Sequence, residues 1–472
     1  MKSLKKLLAL TLITAMLFSL LTACGNNNNE APAATSGTTG ETAGETTAET
    51  KGTAAAGQVY YLNFKPEVAD VWEKIAAKYT EETGVPVKVV TAASGTYEQT
   101  LMSEIAKTEA PTLFQINGPV GYQNWKDYCL DLSDTDLYSW LLDKSLAVTD
   151  GDGVYGIPYV VESYGIIYND EIMKKYFALE DKAVDISSAE EIKSFETLKA
   201  VVEDMTAKKD DLAIDGVFAS TSFSAGEDWR WHTHLANLPI YYEFKDKGIS
   251  DAMEIDFSYS DNYRNIFDLY INNSITESTM LGSKSVVDSM SEFALGQVAM
   301  VQNGNWAWAD IAKVEGNKVT EDNIKFLPIY IGAPGEESQG LCTGTENFFS
   351  INSQASEEDQ AASIAFVEWL FSSDTGKDYV TNELGFIAPF DTFADDEKPT
   401  DPLAQEVIRF MEDDSLTSVS WTFTAFPSQT FKDNFGASLL QYAQGSKEWD
   451  KVVEDMVADW AFEKEAAAAA TE

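Results

Sequence analysis

The chain predicts an α/β fold that begins as an open parallel sheet with helices on its faces. Strand-like runs near the start alternate with segments whose apolar residues recur at helical spacing, and Gly or Pro punctuates the junctions. Val59-Tyr60-Tyr61-Leu62-Asn63-Phe64 is the first strand-like run. Pro66 and Glu67 open a helical pattern in which Val68, Val71, Trp72, Ile75, Ala76 and Tyr79 make one apolar face. Gly84 ends it, and Val85 to Val90 reads as a second strand. A loop from Thr91 to Gly95 leads to a second helix carrying Leu101, Met102 and Ile105. Pro111 stops that helix, and Thr112 to Ile116 reads as a third strand. A β-α-β-α-β order starts a parallel sheet with helices on its faces. Ligands of such sheets sit beyond the C-terminal strand ends. Those ends are Asn63–Glu67, Ala93–Tyr97 and Asn117–Gly118. The rest alternates strand-like and helical segments to residue 465. The last helix buries Trp449, Val452, Val453, Met456, Val457 and Trp460 after a Ser446 cap. Residues 466–472 read as a frayed tail.

The first residues predict export. Lys2, Lys5 and Lys6 precede an apolar stretch, Leu7 to Leu20, that is short for a membrane span. Leu21-Thr22-Ala23-Cys24 follows and resembles the bacterial lipobox. Residues 1–23 are then a lipoprotein signal peptide, and Cys24 is the acylated mature N-terminus. Two or three acyl chains hold a soluble domain on the outer face of the cytoplasmic membrane. Residues 24–57 are rich in Asn, Ala, Thr, Gly and Glu and lack aromatics, so they read as a flexible tether.

At 472 residues, with 44% hydrophobic and 12% aromatic content, the chain can carry two core-forming domains. Its net charge of −44 argues against nucleic acid, anionic headgroups and polyanionic substrates. Beyond Cys24, Cys129 and Cys342 are left either to pair in an oxidising compartment or to stay as buried thiols. No C-x-x-C occurs, which removes support for a cysteine metal site.

Catalysis has little support. The two histidines, His232 and His234, are spaced for one face of a strand, but no third ligand accompanies them and Trp229 and Trp231 suggest a packed aromatic loop. No G-x-S-x-G, Walker A or G-x-G-x-x-G pattern is present. Asp150-Gly151-Asp152-Gly153 starts like a calcium loop but lacks its later ligands, and reads better as a tight turn. No catalytic residues, metal ligands or cofactor are therefore expected. What stands out is aromatic residues set among polar ones: Gly226-Glu227-Asp228-Trp229-Arg230-Trp231-His232, Asn303-Gly304-Asn305-Trp306-Ala307-Trp308 and Ser420-Trp421-Thr422-Phe423. Aromatic faces stack on the C–H faces of pyranose rings, and polar groups pair with ring hydroxyls. Three such clusters favour a sugar cleft over core packing alone.

At these residues the chain resembles the extracellular solute-binding proteins of carbohydrate ABC importers. Phe293-Ala294-Leu295-Gly296-Gln297-Val298-Ala299-Met300 followed by Asn303–Trp308 is similar to a stretch of the maltose-binding branch. Gly156–Glu162, Ile167-Tyr168-Asn169, Asn347–Ile351 and Gly385–Pro389 extend the match in order, across roughly residues 58 to 465. The resemblance implies a two-lobed periplasmic-binding-protein-like fold with discontinuous lobes, a hinge and an interlobe ligand cleft. It places lobe 1 at 58–122 plus 336–388 and lobe 2 at 123–335 plus 389–465. It implies that Trp306 stacks on a sugar ring, that Glu162 accepts hydroxyl hydrogen bonds, and that Trp229 or Trp231 lines the second-lobe wall. Arg230, Asn305 and Trp421 join them as candidates, and the first-lobe strand ends offer Lys65, Glu67, Tyr97 and Asn117. Asn305 stands where the maltose-binding branch has proline. The implied function is capture of a sugar, with several tryptophans favouring an oligosaccharide, and its delivery to membrane permease subunits by a monomeric, lipid-anchored protein. A polyamine or other small solute on the same fold, and a surface glycosidase, are the alternatives.

Overall fold

The structure is a computed structural model that describes residues 57–469, Ser94 and Asp395 excepted. The expected signal peptide, Cys24 and the expected tether up to residue 56 lie outside the described residues.

Strand β1 (Val59–Asn63) is buried along its whole length. Helix α1 (Ala69–Thr83) buries Val71, Trp72, Ile75, Ala76 and Tyr79, as the spacing predicts, and Gly84 ends it in the left-handed conformation at φ 76°. Strand β2 (Val87–Thr91) runs parallel to β1, in register from Val59↔Val87 to Asn63↔Thr91. Helix α2 (Tyr97–Ile105) leads to β3 (Leu113–Ile116), also parallel to β1. The opening β-α-β-α-β unit is therefore present. One side chain departs from expectation. Met102 is 66% exposed, because Tyr97, Leu101 and Ile105 alone form the buried face of α2.

Helix α3 (Gly118–Trp125) follows β3. Strands β4 (Val148–Asp150) and β5 (Gly153–Pro158) form a hairpin across Gly151, whose φ of 58° suits glycine. The Asp150–Gly153 run is thus the tight turn that its glycines suggest. The chain then crosses to a second sheet through β6 (Glu162–Asn169), β7 (Gly216–Phe218), β8 (Val298–Gly304), β9 (Ile324–Leu327) and β10 (Gln339–Gly344), and returns through β11 (Phe348–Ile351). With β12 (Thr417–Ser420), the orders are β2-β1-β3-β11-β5-β4 and β12-β10-β6-β8-β7, with β9 also on β6.

Each sheet has its own core. Tyr61, Trp72, Leu113, Ile157, Phe349 and Phe366 pack around the first.

 Helix α6 spans Glu357–Ser372, after α4 (Ala236–Lys247) and α5 (Ala307–Lys313). Tyr164, Ile166, Trp231, Tyr263, Met300 and Trp460 pack together on the second sheet. Helices α7 (Pro402–Met411), α8 (Gln429–Ala443) and α9 (Trp449–Ala469) bury Leu403, Phe431 and Trp449 there. The face expected of the last helix is the one buried, but α9 continues through Ala469, so residues 466–469 are helical rather than frayed.

The crossings fall away from the expected lobe limits. Residues 148–158, expected in lobe 2, lie in the first sheet, and 339–344, expected in lobe 1, lie in the second. Phe390 packs with the first core and Leu403 with the second. The reason is long-range pairing: β5 pairs β11 and β6 pairs β10, contacts that leave no local signal. Cys129 and Cys342 are both buried and free, in separate core clusters.

Candidate ligand-binding site

The two sheets meet at a charged cluster placed where the chain crosses between them. Lys65 follows β1, and its loop is held by Asn63, whose Oδ1 accepts from the Lys65 amide at 3.0 Å. Lys65 Nζ donates to Glu162 Oε1 at 2.7 Å and lies 3.6 Å from Glu67 Oε1. Glu162 opens β6, and its Oε2 accepts from Asn347 Nδ2 at 3.0 Å, at the return crossing. Burial works to lower the Lys65 pKa, but Glu162 and Glu67 outweigh it and raise it, so the ammonium stays charged. Burial pushes the Glu162 carboxyl up, against the pull of Lys65. Burial also raises neighbouring Glu346 and lowers Lys432 on α8, and those two charges oppose the shifts in each other.

An aromatic wall adjoins the cluster. Trp306 follows β8, with its ring 5.8 Å from Lys65 Nζ, 6.0 Å from Trp229 and 5.5 Å from His234. His234 stacks on Tyr164 at 4.1 Å, and burial drives its pKa well below the usual value, leaving it neutral. Trp421 follows β12 and lies 6.3 Å from His234. Its loop is pinned by Asn237 on α4. Asn237 Oδ1 accepts from the amides of Thr422 at 2.6 Å and Phe423 at 3.0 Å, while Nδ2 donates to the Ser420 carbonyl. Arg230 opens a π-helical turn, Arg230–Leu235, a rare geometry that commonly marks functional sites. Its guanidinium lies 3.8 Å from the Trp229 ring centre. Burial brings its pKa down to about 9, while Glu227, Asp310 and Glu67 hold it up.

The structure brings Lys65, Glu67, Glu162, Trp229, Arg230 and Trp306 together, with Trp421 beside His234 and Asn117 at the end of β3. Three candidates fall elsewhere. Trp231 is 1% exposed and stacks on Phe223 in the core, its Nε1 donating to the Ser222 carbonyl. Residues two apart on a helical turn point in different directions, so Trp229 and Trp231 cannot share one face. Tyr97 is buried, and its hydroxyl accepts from the Gln115 amide. Asn305 holds β6, its Oδ1 accepting from the Ser163 amide at 2.9 Å. Glu346, Lys432 and Asp310 carry no signal in the sequence analysis, where His234 figures only as a possible metal-ligand spacing and Asn347 only in a matched run. His234 and Asn347 join through tertiary contacts.

Several buried polar atoms here lack a hydrogen-bond partner: Asn117 Oδ1, Arg230 Nε and Nη1, His234 Nδ1, Thr345 Oγ1, Asn347 Oδ1 and Trp421 Nε1. Buried polar groups are normally satisfied, so such a concentration next to aromatic rings suits a polar ligand with apolar faces. Among the described residues no cluster of three His, Cys, Asp or Glu could hold a metal ion, and no helix is long and apolar enough to cross a membrane.

These features accord with comparisons to known proteins. The chain belongs to the bacterial extracellular solute-binding protein family, whose model matches residues 74–407. The family and the structural neighbours are binding proteins. The fold is similar to a chitin oligosaccharide binding protein, with a TM-score of 0.69 and 16% identity over 88% of this chain and 100% of that one. It is similar to maltose-bound MalE3 of T. maritima, with a TM-score of 0.65 and 13% identity over 86% and 100%. It is also similar to RafE in complex with raffinose, with a TM-score of 0.64 and 18% identity over 86% and 99%. Comparison with curated protein sequences finds no match. At these identities the likeness is one of fold: two α/β lobes, each with its own sheet.

Proposed function

We propose that the chain captures a neutral sugar between its two lobes and delivers it to the membrane subunits of an ABC importer. The observation that carries this reading is the set of unpartnered buried polar atoms beside Trp306, Trp229 and Trp421. A pyranose offers both requirements, C–H faces for the indoles and hydroxyls for the orphaned donors and acceptors. Neighbours named for raffinose, maltose and chitin oligosaccharide support the same class of ligand. Trp306 stacks on a ring, Glu162 and Glu67 accept hydrogen bonds from hydroxyls, and Lys65, Arg230 and Asn117 complete the polar contacts. Lobe 1 comprises about 58–158 and 348–393, and lobe 2 about 162–344 and 402–469, joined at 159–161, 345–347 and 394–401. A ligand that touches both lobes favours the closed form by its differential affinity, with no catalytic step. The lipobox-like leader supports anchoring outside the cytoplasmic membrane, with the protein acting as a monomer.

Thermal unfolding of residues 58–469 against maltotriose, raffinose, xylotriose, chitotriose and spermidine tests this. A ligand at 100 times its Kd adds about 2.7 kcal/mol, which raises the melting temperature by a few degrees. A shift with a sugar, lost in Trp306→Ala, supports the reading. A shift with spermidine alone moves the assignment to a cationic solute, which the carboxylates around Lys65 would suit.

A further inference from the structure

Helix α5 is built on the second sheet but bears on the first lobe. Ala307 and Ile311, four residues apart, pack with Val298 and Val301 of β8. Ala309 packs against the first core instead. Lys313, four residues beyond Ala309, reaches the same lobe: its Nζ donates to the Glu67 carbonyl at 2.8 Å and lies 3.5 Å from Asp70 Oδ1 in the first turn of α1. The helix therefore turns one face to each lobe. Trp306 stands at its N-terminal end, with its ring 5.8 Å from Lys65 Nζ, so the expected stacking residue and the Lys313 contact sit at opposite ends of one short element.

The bond falls on the loop that carries Lys65 and Glu67, whose charged groups lie 3.6 Å apart. Asn63 holds the near end of that loop through the Lys65 amide, and Lys313 holds its far end from the opposite lobe. The Lys313 and Asp70 side chains are 56% and 61% exposed. When the lobes part, water replaces the carbonyl at little cost, so the bond favours the closed form and not the folding of either lobe. We propose that Lys313 is a positioning residue that latches the two lobes and fixes the Lys65–Glu67 loop when the cleft closes, without touching the ligand. This rests on the lobe-closure reading of sugar capture and adds to it a clasp on the rim that salt weakens.

Calorimetric titration of the full chain in non-ionic detergent, at about 50 and about 500 mM NaCl, tests the latch with maltotriose, raffinose, xylotriose, chitotriose and spermidine as probes. Lys313→Met is expected to weaken the probe that binds by roughly 2- to 5-fold at low salt, the range of an exposed ion pair, mainly through faster release. High salt should remove the difference between wild type and Lys313→Met. Lys313→Arg keeps the charge and should restore both the affinity and the salt response. The melting temperature of ligand-free Lys313→Met should match wild type; a clear fall would assign Lys313 to the folding of a lobe and overturn the latch. Spin labels on Glu73→Cys and Glu315→Cys, exposed positions beside the contact, read the lobe separation directly, since the native Cys129 and Cys342 are buried. Longer separations should be more populated in Lys313→Met than in wild type. Equal affinity and equal salt response in the two proteins overturn the latch while sugar capture stands. Binding of spermidine and of no sugar overturns the sugar reading, and the latch is then judged on spermidine. If no probe binds, equal label separations in the two ligand-free proteins overturn the latch.

Discussion

Trp306 lies over Gly304. A β-carbon at Gly304 would overlap the six-membered ring of the indole, so only glycine leaves room for the ring at the end of β8. Trp421 repeats the arrangement over Gly344, where a β-carbon would fall 2.6 Å from the indole. Gly304→Ala is expected to displace Trp306 and weaken sugar binding roughly tenfold, about 1.4 kcal/mol. Titration measures it, and retained affinity would show that Trp306 does not set the ligand's position.

The Lys65–Glu162 pair has side chains only 5% and 3% exposed, so removing one partner leaves a buried charge. Lys65→Met is expected to cost about 3–5 kcal/mol in urea unfolding. The double variant Lys65→Met/Glu162→Gln should recover much of that loss. A single variant as stable as wild type contradicts the pairing.

Gly95, beyond β2, and Gly226, beyond β7, meet across the lobes. A β-carbon on Gly95, which has a φ of 68°, would overlap the Gly226 carbonyl. Gly95→Ala is expected to hold the lobes apart. Small-angle scattering should show a larger radius of gyration with ligand, alongside weaker binding. Unchanged compaction on ligand addition would exclude a role for this contact in closure.

Burial raises the pKa of Glu98, Asp310 and Glu346. A carboxyl with a raised folded pKa binds its proton more tightly in the folded state. Its stabilisation is therefore complete below the ordinary carboxylate range and is lost as pH rises through the raised value. The contribution of these three groups to the stability of the ligand-free protein should fall from that range towards neutrality, and pH-dependent melting of wild type and variant reads it as a difference in slope. Glu346→Gln should flatten the slope, with Lys432, Lys65 and Glu162 as its charged neighbours. An identical slope would remove Glu346 from the titration.

Cys129 and Cys342 sit in separate cores, and burial pushes their thiols up to about 11 and about 12. Reductant should leave the melting temperature unchanged, and thiol reagents should reach both only on unfolding. A reductant-sensitive transition would indicate a bridge between them.

Local periodicity and punctuation were legible. The helical face from Val71 to Tyr79, the stop at Gly84 and the turn at Gly151 depend on neighbours within a few residues, where 3.6-residue spacing and left-handed glycines act directly. Met102 escaped that reading because a nine-residue helix has few turns with which to define a face.

The candidate site was legible in part. Trp306 stood out because it lies in a run of aromatic and polar residues, Asn303–Trp308, that resembles a stretch of carbohydrate-binding relatives. Trp229 and Trp231 were inseparable in sequence, and the π-helical turn sends one to the site and the other against Phe223. Lys65 and Glu162 were each candidates, yet nothing local joins residues 97 positions apart.

The amino-acid order by itself determined the class of fold, the opening parallel unit and the kinds of residue available for a ligand, because propensity and pattern act over a turn or a strand. Only the tertiary structure decided where the chain changes sheets and which buried groups face one another. β5 against β11 and β10 against β6 are chosen by burial and register over long separations. That choice sets Lys65 against Glu162, since charge interactions depend on distance in space and not along the chain.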